Sequence, residues 1–359
     1  MLARKRWRWE SVWSVNMSHT SKRARSGALI AVTCFLLAGC SNAAAVAPGR
    51  VSRVVVPRTP GSLAVGPNGR LYIADDSLQE ILERLPTGRF VVVVGTGHAG
   101  FSGDGGQATR AEIDQPEGMT FAPNGTLYFA DLGNNRVRSV RPNGVIVTMA
   151  GNGKDSSQPP LSGTPALQAR LGGPAAVAIS PSGHLYVVLG NANAVVEITR
   201  STVAVTADAA DFAGLDPQYP GADCAPSGLA FDRSGDLYLS CGNFSDVIMR
   251  PPNGRFVYRG FLKPHDLYAG LTRGPADSVL GLWVSQLVRL TRTKRSTLHA
   301  FDLVRHVGPF WPTGVALGRD GTIYLDQHGY GGVGPPAIVA LSPKGKVTVL
   351  WPLGTGNDT

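Results

Sequence analysis

The sequence predicts an all-β chain folded as a six-bladed β-propeller with four-stranded antiparallel blades. A pattern of proline, apolar residues, a glycine turn and a tyrosine occurs in five clear copies, with the tyrosine always twelve residues after the proline. Apolar strands and further glycine turns follow the copies, and the 359 residues include 45 Gly and 26 Pro, as expected of turn-rich β structure. Four-stranded units of roughly 40 to 60 residues, repeated in this way, are typical of propeller blades.

Each clear copy is predicted to supply the two inner strands of one blade. In every copy the turn glycine lies three residues before the tyrosine. Such hairpin turns require positive φ, which glycine adopts freely. The copies read TPGSLAVGPNGRLYIAD, QPEGMTFAPNGTLYFAD, GPAAVAISPSGHLYVVL, APSGLAFDRSGDLYLSC and WPTGVALGRDGTIYLDQ. Their proline–tyrosine pairs are Pro60 and Tyr72, Pro116 and Tyr128, Pro174 and Tyr186, Pro226 and Tyr238, and Pro312 and Tyr324.

A sixth, degenerate copy precedes the last clear one. The segment KPHDLYAGL supplies its opening, and SVLGLWVSQLVRL the remainder. This alignment predicts that Trp283 takes the tyrosine's place, nineteen residues after Pro264. The strand that closes the ring stays open between two candidates, residues 51–56 and residues 346–350.

The segment from Val91 to Gly153 resembles an NHL repeat. Its phrases GTGHAGFSGDGGQAT, PEG, LYFAD and GNNRVR follow the pattern of that family. The resemblance is strong over about one and a half repeats, good over about five, and weak in the fifth blade. It implies an NHL-type six-bladed propeller.

The same segment contains a glycine spacing that invites another interpretation. Gly95, Gly97 and Gly100 follow four valines in the GxGxxG spacing of a dinucleotide-binding turn. That fold needs a long helix after Gly100, but FSGDGG follows, and each glycine inside a helix costs about 1 kcal/mol. We therefore predict a loop from the outer strand of one blade to the inner strand of the next, without nucleotide binding.

Residues 1–39 are predicted to be a lipoprotein-type signal peptide, for which Met17 is an alternative start. Basic residues precede an apolar run at 28–37 that is too short to span a bilayer. The following LAGC resembles a lipobox and implies lipidation of Cys40, although an ordinary signal with a chance cysteine is the alternative. Residues 40–58 are then a lipid-anchored linker.

Residues 59–359 form the predicted propeller, exported and anchored to the bacterial cell membrane through the lipid alone. Seven Lys/Arg and one Glu in residues 1–39 account for +6 of the net charge of +9, which leaves +9 − 6 = +3. This small charge gives no reason to expect nucleic-acid binding. Cys224 and Cys241 flank the two inner strands of blade 4, and antiparallel pairing predicts a disulfide between them, with two buried thiols as the alternative.

The predicted working side is one face of the propeller. Loops between blades and loops joining the middle two strands open on the same face, and the long insertions concentrate there. We call it the long-loop face. Its insertions are residues 95–115, 151–173, 207–224 and 327–336.

The residue after each repeat proline starts an inner strand at the channel mouth on the long-loop face. These positions supply most of the candidate ligand-binding residues. The candidates are Glu117, Ser227, His265, Asp266 and Thr313.

Two functions remain open. The leading hypothesis is a monomeric, non-catalytic binding module for a protein, glycan or cell-wall ligand, because the sequence lacks GxSxG, HExxH and CxxC. No catalytic residue, metal ligand or cofactor is assigned, and Asp75 and Asp131 are expected to bind backbone in the following turn. The alternative is a divalent-metal-dependent lactonase or hydrolase of the related gluconolactonase-like propellers, whose metal is held by a Glu, two Asn and an Asp.

Overall fold

The computed structural model describes residues 53–215, 224–241, 246–258, 270–283, 286–300, 312–327 and 336–352. These residues belong to one compact unit, Pro48–Thr359. They form six antiparallel sheets, one after another along the chain. The prediction of a six-bladed, all-β propeller is confirmed.

In each blade the strands follow the chain outward from the central channel. Blade 1 comprises β2 (Pro60–Val65), β3 (Leu71–Asp75), β4 (Glu80–Arg84) and β5 (Phe90–Val94), with β1 (Val54–Val55) outside β5. Blade 2 comprises β6 (Pro116–Phe121), β7 (Leu127–Asp131), β8 (Arg136–Val140) and β9 (Ile146–Ala150). Blade 3 comprises β10 (Pro174–Ile179), β11 (Leu185–Leu189), β12 (Ala194–Ile198) and β13 (Val203–Ala207).

The second half of the ring follows the same plan. Blade 4 comprises β14 (Pro226–Phe231), β15 (Leu237–Cys241), β16 (Asp246–Arg250) and β17 (Val257–Tyr258). Blade 5 comprises β18 (Leu271–Arg273), β19 (Val279–Trp283), β20 (Gln286–Leu290) and β21 (Arg295–Ala300). Blade 6 comprises β22 (Pro312–Leu317), β23 (Ile323–Gln327), β24 (Ala337–Leu341) and β25 (Val347–Pro352).

Blade-to-blade packing forms the core. Because each sheet is covered on both faces, several strands are nearly continuous apolar runs, as at Phe90–Val94 and Leu185–Leu189. The repeat tyrosine joins neighbouring blades: the Tyr72 ring lies 4.7 Å from that of Phe121, and the Tyr186 ring 4.9 Å from that of Phe231. The repeat therefore encodes both the hairpin of one blade and its contact with the next.

The last blade is completed by β25, which includes residues 347–350 of the second candidate closing segment. The first candidate instead adds β1 to the outer edge of blade 1, where Val54 pairs with Val91. β1 therefore lies inside the segment predicted as linker, residues 40–58. The ring closes where β2 packs against β22.

Blade 5 departs from the predicted alignment. Leu271 pairs with Gly281 and Thr272 with Leu280, just as Leu63 pairs with Ile73 and Ala64 with Tyr72 in blade 1. Leu280 therefore stands in the tyrosine's place, and the assignment of Trp283 to it is wrong. The error arose because an aromatic residue was given more weight than strand register.

The glycine-rich segment after β5 connects two blades, as predicted, and it also covers the edge of the second one. Gly105 donates to the carbonyl oxygen of Ile146 at 2.8 Å, and the Ile146 N–H donates to Gly106 at 3.0 Å. A short 3₁₀ helix (Ala108–Arg110) follows. The next interblade segment repeats this arrangement with a 3₁₀ helix at Ala166–Gln168. Much of residues 95–115 and 151–173 is thus built into the scaffold.

Two further short helices interrupt the loops of the long-loop face. A 3₁₀ helix (Leu132–Asn134) links β7 to β8. The α-helix α1 (Ala209–Phe212) follows β13, and the Asp208 carboxylate caps it by accepting from Ala210 N at 2.9 Å. Phe212 is buried, with its ring 5.5 Å from that of Phe256.

Candidate functional site

The channel along the propeller axis is divided into two cavities by six apolar side chains. One residue of each inner strand lines both cavities. The upper cavity, of about 340 Å³, opens where the inner strands begin, and the lower one, of about 320 Å³, where they end. We call the six residues the channel ring: Leu63, Met119, Val177, Leu229, Leu271 and Val315.

The upper cavity is acidic. Glu117 and Asp76 line it, and no Lys or Arg is among its described lining residues. Ser227 adds a hydroxyl group, while the neighbouring positions are small, as at Gly61 and Ala175. The small residues leave space at the mouth, so a ligand group could reach the two carboxylates.

The Glu117 carboxyl is half-buried at this mouth. Its burial, reinforced by the charge of Asp76, raises the pKa of Glu117 to about 7. The carboxyl therefore changes charge near neutral pH, and a cationic group would stabilise its ionised form.

The structure brings some of the predicted site residues together. Glu117 and Ser227 both line the upper cavity, and Ser227 Oγ lies 3.2 Å from Ser240 Oγ. Thr313 belongs to β22, but its side chain is outside the described part of the chain, as are His265 and Asp266.

The blade 5 register bears on His265 and Asp266. Because Leu271 corresponds to Leu63, Gly270 occupies the position of Ser62 in the upper cavity. The alignment from Pro264 therefore places the start of this inner strand four residues too early. Whether His265 and Asp266 contribute to ligand binding stays a prediction.

Sequence reasoning missed Asp76. This residue follows β3 and accepts a hydrogen bond from Thr59 Oγ1. The second aspartate of LYIADDS was the available signal, but its loop comes from blade 1 and Glu117 from blade 2. Their convergence depends on how the blades pack.

Asp75 and Asp131 both have structural roles, but the expected bond to backbone of the following turn is recorded for Asp75 and not, in the described contacts, for Asp131. Each is buried at the end of the second strand of its blade and accepts from backbone just before the inner strand. Asp75 accepts from Thr59 N at 3.1 Å and from Leu78 N at 3.1 Å. Asp131 accepts from Asp114 N at 2.8 Å and from Asn134 Nδ2 at 2.9 Å.

The predicted disulfide is confirmed. Cys224 and Cys241 are joined by an S–S bond of 2.04 Å, and both residues are buried. Cys241 is the last residue of β15, the position that Asp131 occupies in β7.

The described donors do not match the metal site implied by the gluconolactonase-like alternative. Among described residues, no three His, Cys, Asp or Glu side chains are arranged to hold a metal ion. A hard divalent cation needs about six oxygen ligands, more than Glu117, Asp76 and Ser227 supply. No reaction step through a metal is derived from these residues.

Within the described ranges, no helix has both the length and the apolar character required to cross a bilayer.

The fold and its divided channel place the chain in the class of six-bladed β-propellers. The model of the teneurin NHL domain family matches residues 86–232, and mouse teneurin-3 is 33% identical over 156 residues. That alignment covers 39% of this chain and 6% of the teneurin. With the repeat pattern and the six sheets described above, these matches identify the chain as an NHL-repeat β-propeller.

Solved structures agree on the fold alone. Virginiamycin B lyase from Staphylococcus aureus aligns with a TM-score of 0.56 at 12% identity, over 85% of this chain and 88% of the lyase. A gluconolactonase from Xanthomonas campestris aligns with a TM-score of 0.55 at 12% identity, over 82% of this chain and 87% of the enzyme. At such identities the residues of the site decide function.

Proposed function

We propose that this protein is an extracytoplasmic, non-catalytic binding module that is anchored to the bacterial membrane through Cys40. It binds a protein, glycan or cell-wall ligand on the long-loop face, with the upper cavity as the central contact. The proposal rests mainly on one observation. Glu117 and Asp76, which come from different blades, line one cavity, and the described lining of that cavity has no basic side chain.

The charge of the mouth favours a ligand that presents an ammonium or guanidinium group. Such a group would pair with Asp76 and with the ionised form of Glu117, and partial burial would make the pairing stronger than on an open surface. The similarity to the teneurin NHL domain supports a protein ligand over the other two classes.

A capture experiment tests this proposal. The unit Pro48–Thr359 is immobilised and exposed to envelope extract, beside a Glu117→Gln variant and an Asp277→Asn control. Asp277 is exposed beside β19, at the opposite end of the channel. The retained species should be lost with Glu117→Gln and kept with Asp277→Asn; equal retention by all three proteins would overturn the proposal.

The lactonase alternative has one observation in its favour, the pair of carboxylates at the mouth. Calorimetric titration with Ca²⁺ and with Zn²⁺ separates the two functions. Stoichiometric heat that disappears in Glu117→Gln would favour the metal-dependent enzyme, and no heat would favour the binding module.

The anchor is tested separately by palmitate labelling of the full chain. Labelling should vanish in a Cys40→Ala variant. Unchanged labelling would remove the anchor from the proposal while leaving the binding site intact.

A further inference from the structure

The lower cavity differs in chemistry from the upper one. Its described lining contains one charged residue, Arg273, and no carboxylate. Most of the remaining lining is aliphatic or aromatic, with hydroxyl groups from Thr120, Thr272 and Ser180. The channel is thus acidic above the channel ring and basic below it.

Arg273 occupies a position that is apolar in every other blade. It ends the inner strand β18, as its counterparts end theirs. Those counterparts are Val65, Phe121, Ile179, Phe231 and Leu317. The other five blades pack with an apolar residue at this position, so the charge of Arg273 is particular to blade 5.

The backbone of two neighbouring blades holds the Arg273 guanidinium in place. Nε donates to the carbonyl oxygen of Phe231 in blade 4 at 3.1 Å, and Nη2 donates to that of Ile179 in blade 3 at 3.1 Å. These bonds use two of the five N–H donors of the group. The Nη1 donors have no hydrogen-bond partner within the described ranges.

The nearest described carboxylate that interacts with Arg273, that of Asp232, lies outside the cavity lining. This carboxylate accepts from Asp236 N at 2.9 Å and from the Tyr238 hydroxyl at 3.4 Å.

We infer that the lower cavity is a second, independent binding site for an aliphatic monocarboxylate of about eight to ten carbons. Arg273 would bind the carboxylate, and the chain would lie against the apolar walls below the channel ring. A carboxylate satisfies the free guanidinium donors, and the walls favour an aliphatic chain. The cavity of about 320 Å³ corresponds to roughly ten waters at about 30 Å³ each, so it has room for a chain of this length.

Calorimetric titration of the full chain with decanoate tests the inference, with 1-decanol as the uncharged probe. Decanoate should bind with one-to-one stoichiometry and at least about tenfold more tightly than 1-decanol, since a charged hydrogen bond is lost with the alcohol. No saturable binding of decanoate, or equal affinity for the two probes, would overturn the inference without any variant.

Two variants assign the binding to the lower cavity. Arg273→Leu introduces the residue that blade 6 has at this position, and it should weaken decanoate binding at least about tenfold. Glu117→Gln, in the upper cavity, should leave decanoate binding unchanged. Unchanged binding in Arg273→Leu would overturn the inference and leave the arginine as a bridge between blades. If Arg273→Leu does not fold, Arg273→Lys replaces it, and the expected result is binding that retains its preference for decanoate over 1-decanol.

Discussion

Cys241 of blade 4 is joined by a disulfide to Cys224, just as Asp131 of blade 2 is hydrogen-bonded to the backbone N–H of Asp114. The two pairs occupy equivalent positions in their blades. In both blades the first residue ends the second strand, and its partner lies two residues before the repeat proline. A covalent bond in blade 4 thus does what a buried carboxylate does in blade 2. It fixes the entry of the inner strand against its neighbour.

The disulfide should stabilise the propeller by about 3 kcal/mol, because it closes a short loop in the unfolded chain. Replacing Cys224 and Cys241 together by serine should lower the free energy of unfolding of Pro48–Thr359 by that amount in urea titrations. Adding reductant should lower the stability of the parent protein similarly and leave the double variant unchanged. A parent protein insensitive to reductant would contradict this prediction.

The Arg138 side chain, which is fully buried, should be a large contributor to the stability of blade 2. It donates to the Ser102 carbonyl at 2.8 Å and to Asp104 at 2.8 Å, and it lies 3.4 Å from Asp131. Replacing it with leucine leaves Asp131 buried without its cation, so a loss of about 3–5 kcal/mol is expected. Urea unfolding measures the change.

The exposed Arg141 provides the control for Arg138. An Arg141→Leu change should alter stability by less than about 0.5 kcal/mol. Adding Asp131→Asn to Arg138→Leu should recover part of the loss, because the unpaired charge is removed. Equal effects of the Arg138 and Arg141 changes would show that the buried network contributes little.

Two glycines of the interblade segment should respond differently to alanine. Gly103 (φ +86°) and Gly105 (φ +82°) both have left-handed backbone, but an added Cβ at Gly103 would lie 2.7 Å from Ala111 Cα, whereas at Gly105 it meets nothing within 4 Å. Gly105→Ala should cost about 1–2 kcal/mol for the conformation alone. Gly103→Ala should lower the free energy of unfolding by roughly a further 1–3 kcal/mol because of the clash with Ala111.

Thermal and urea unfolding of the two variants test this difference. The comparison is matched, since both residues lie in one segment and differ mainly in the space around them. Equal losses would mean that the segment shifts to accept the methyl group and is not held as tightly as its hydrogen bonds indicate.

Stability should depend on pH through Glu117. Burial and Asp76 raise its pKa to about 7, above the value of about 4.3 expected in the unfolded chain. The folded state therefore binds the proton more tightly, and the stabilisation is complete below about pH 4.3 and is lost as pH rises through about 7. The decline should be smaller in Glu117→Gln.

Urea midpoints between pH 4 and pH 8, compared for the parent and Glu117→Gln, measure the effect. Parallel curves would contradict the prediction. A carboxyl-carbon NMR titration adds an independent check, since an Asp76→Asn change should lower the pKa of Glu117 by removing the neighbouring charge.

Features that depend on nearby residues could be predicted from the amino-acid sequence. Proline-to-tyrosine spacing, turn glycines and apolar strands predicted six blades of four strands. Antiparallel pairing predicted the Cys224–Cys241 bond, and the run of glycines in GFSGDGG argued against a nucleotide site. These features follow from strand period and turn geometry, which are local. Blade 5 was misaligned because it lacks the repeat tyrosine, and Trp283 was mistaken for it.

Which side chains meet around the axis could be seen only once the blades were packed into a ring. Asp76 and Glu117 come from different blades and share a cavity because the ring closes. Arg273 reaches carbonyl groups of two other blades for the same reason. The structure also showed that an interblade insertion hydrogen-bonds to the outer strand of a blade and so covers the edge of that sheet. Contacts between residues far apart in the sequence depend on how the blades pack. The spacing of residues along the chain does not reveal that packing directly.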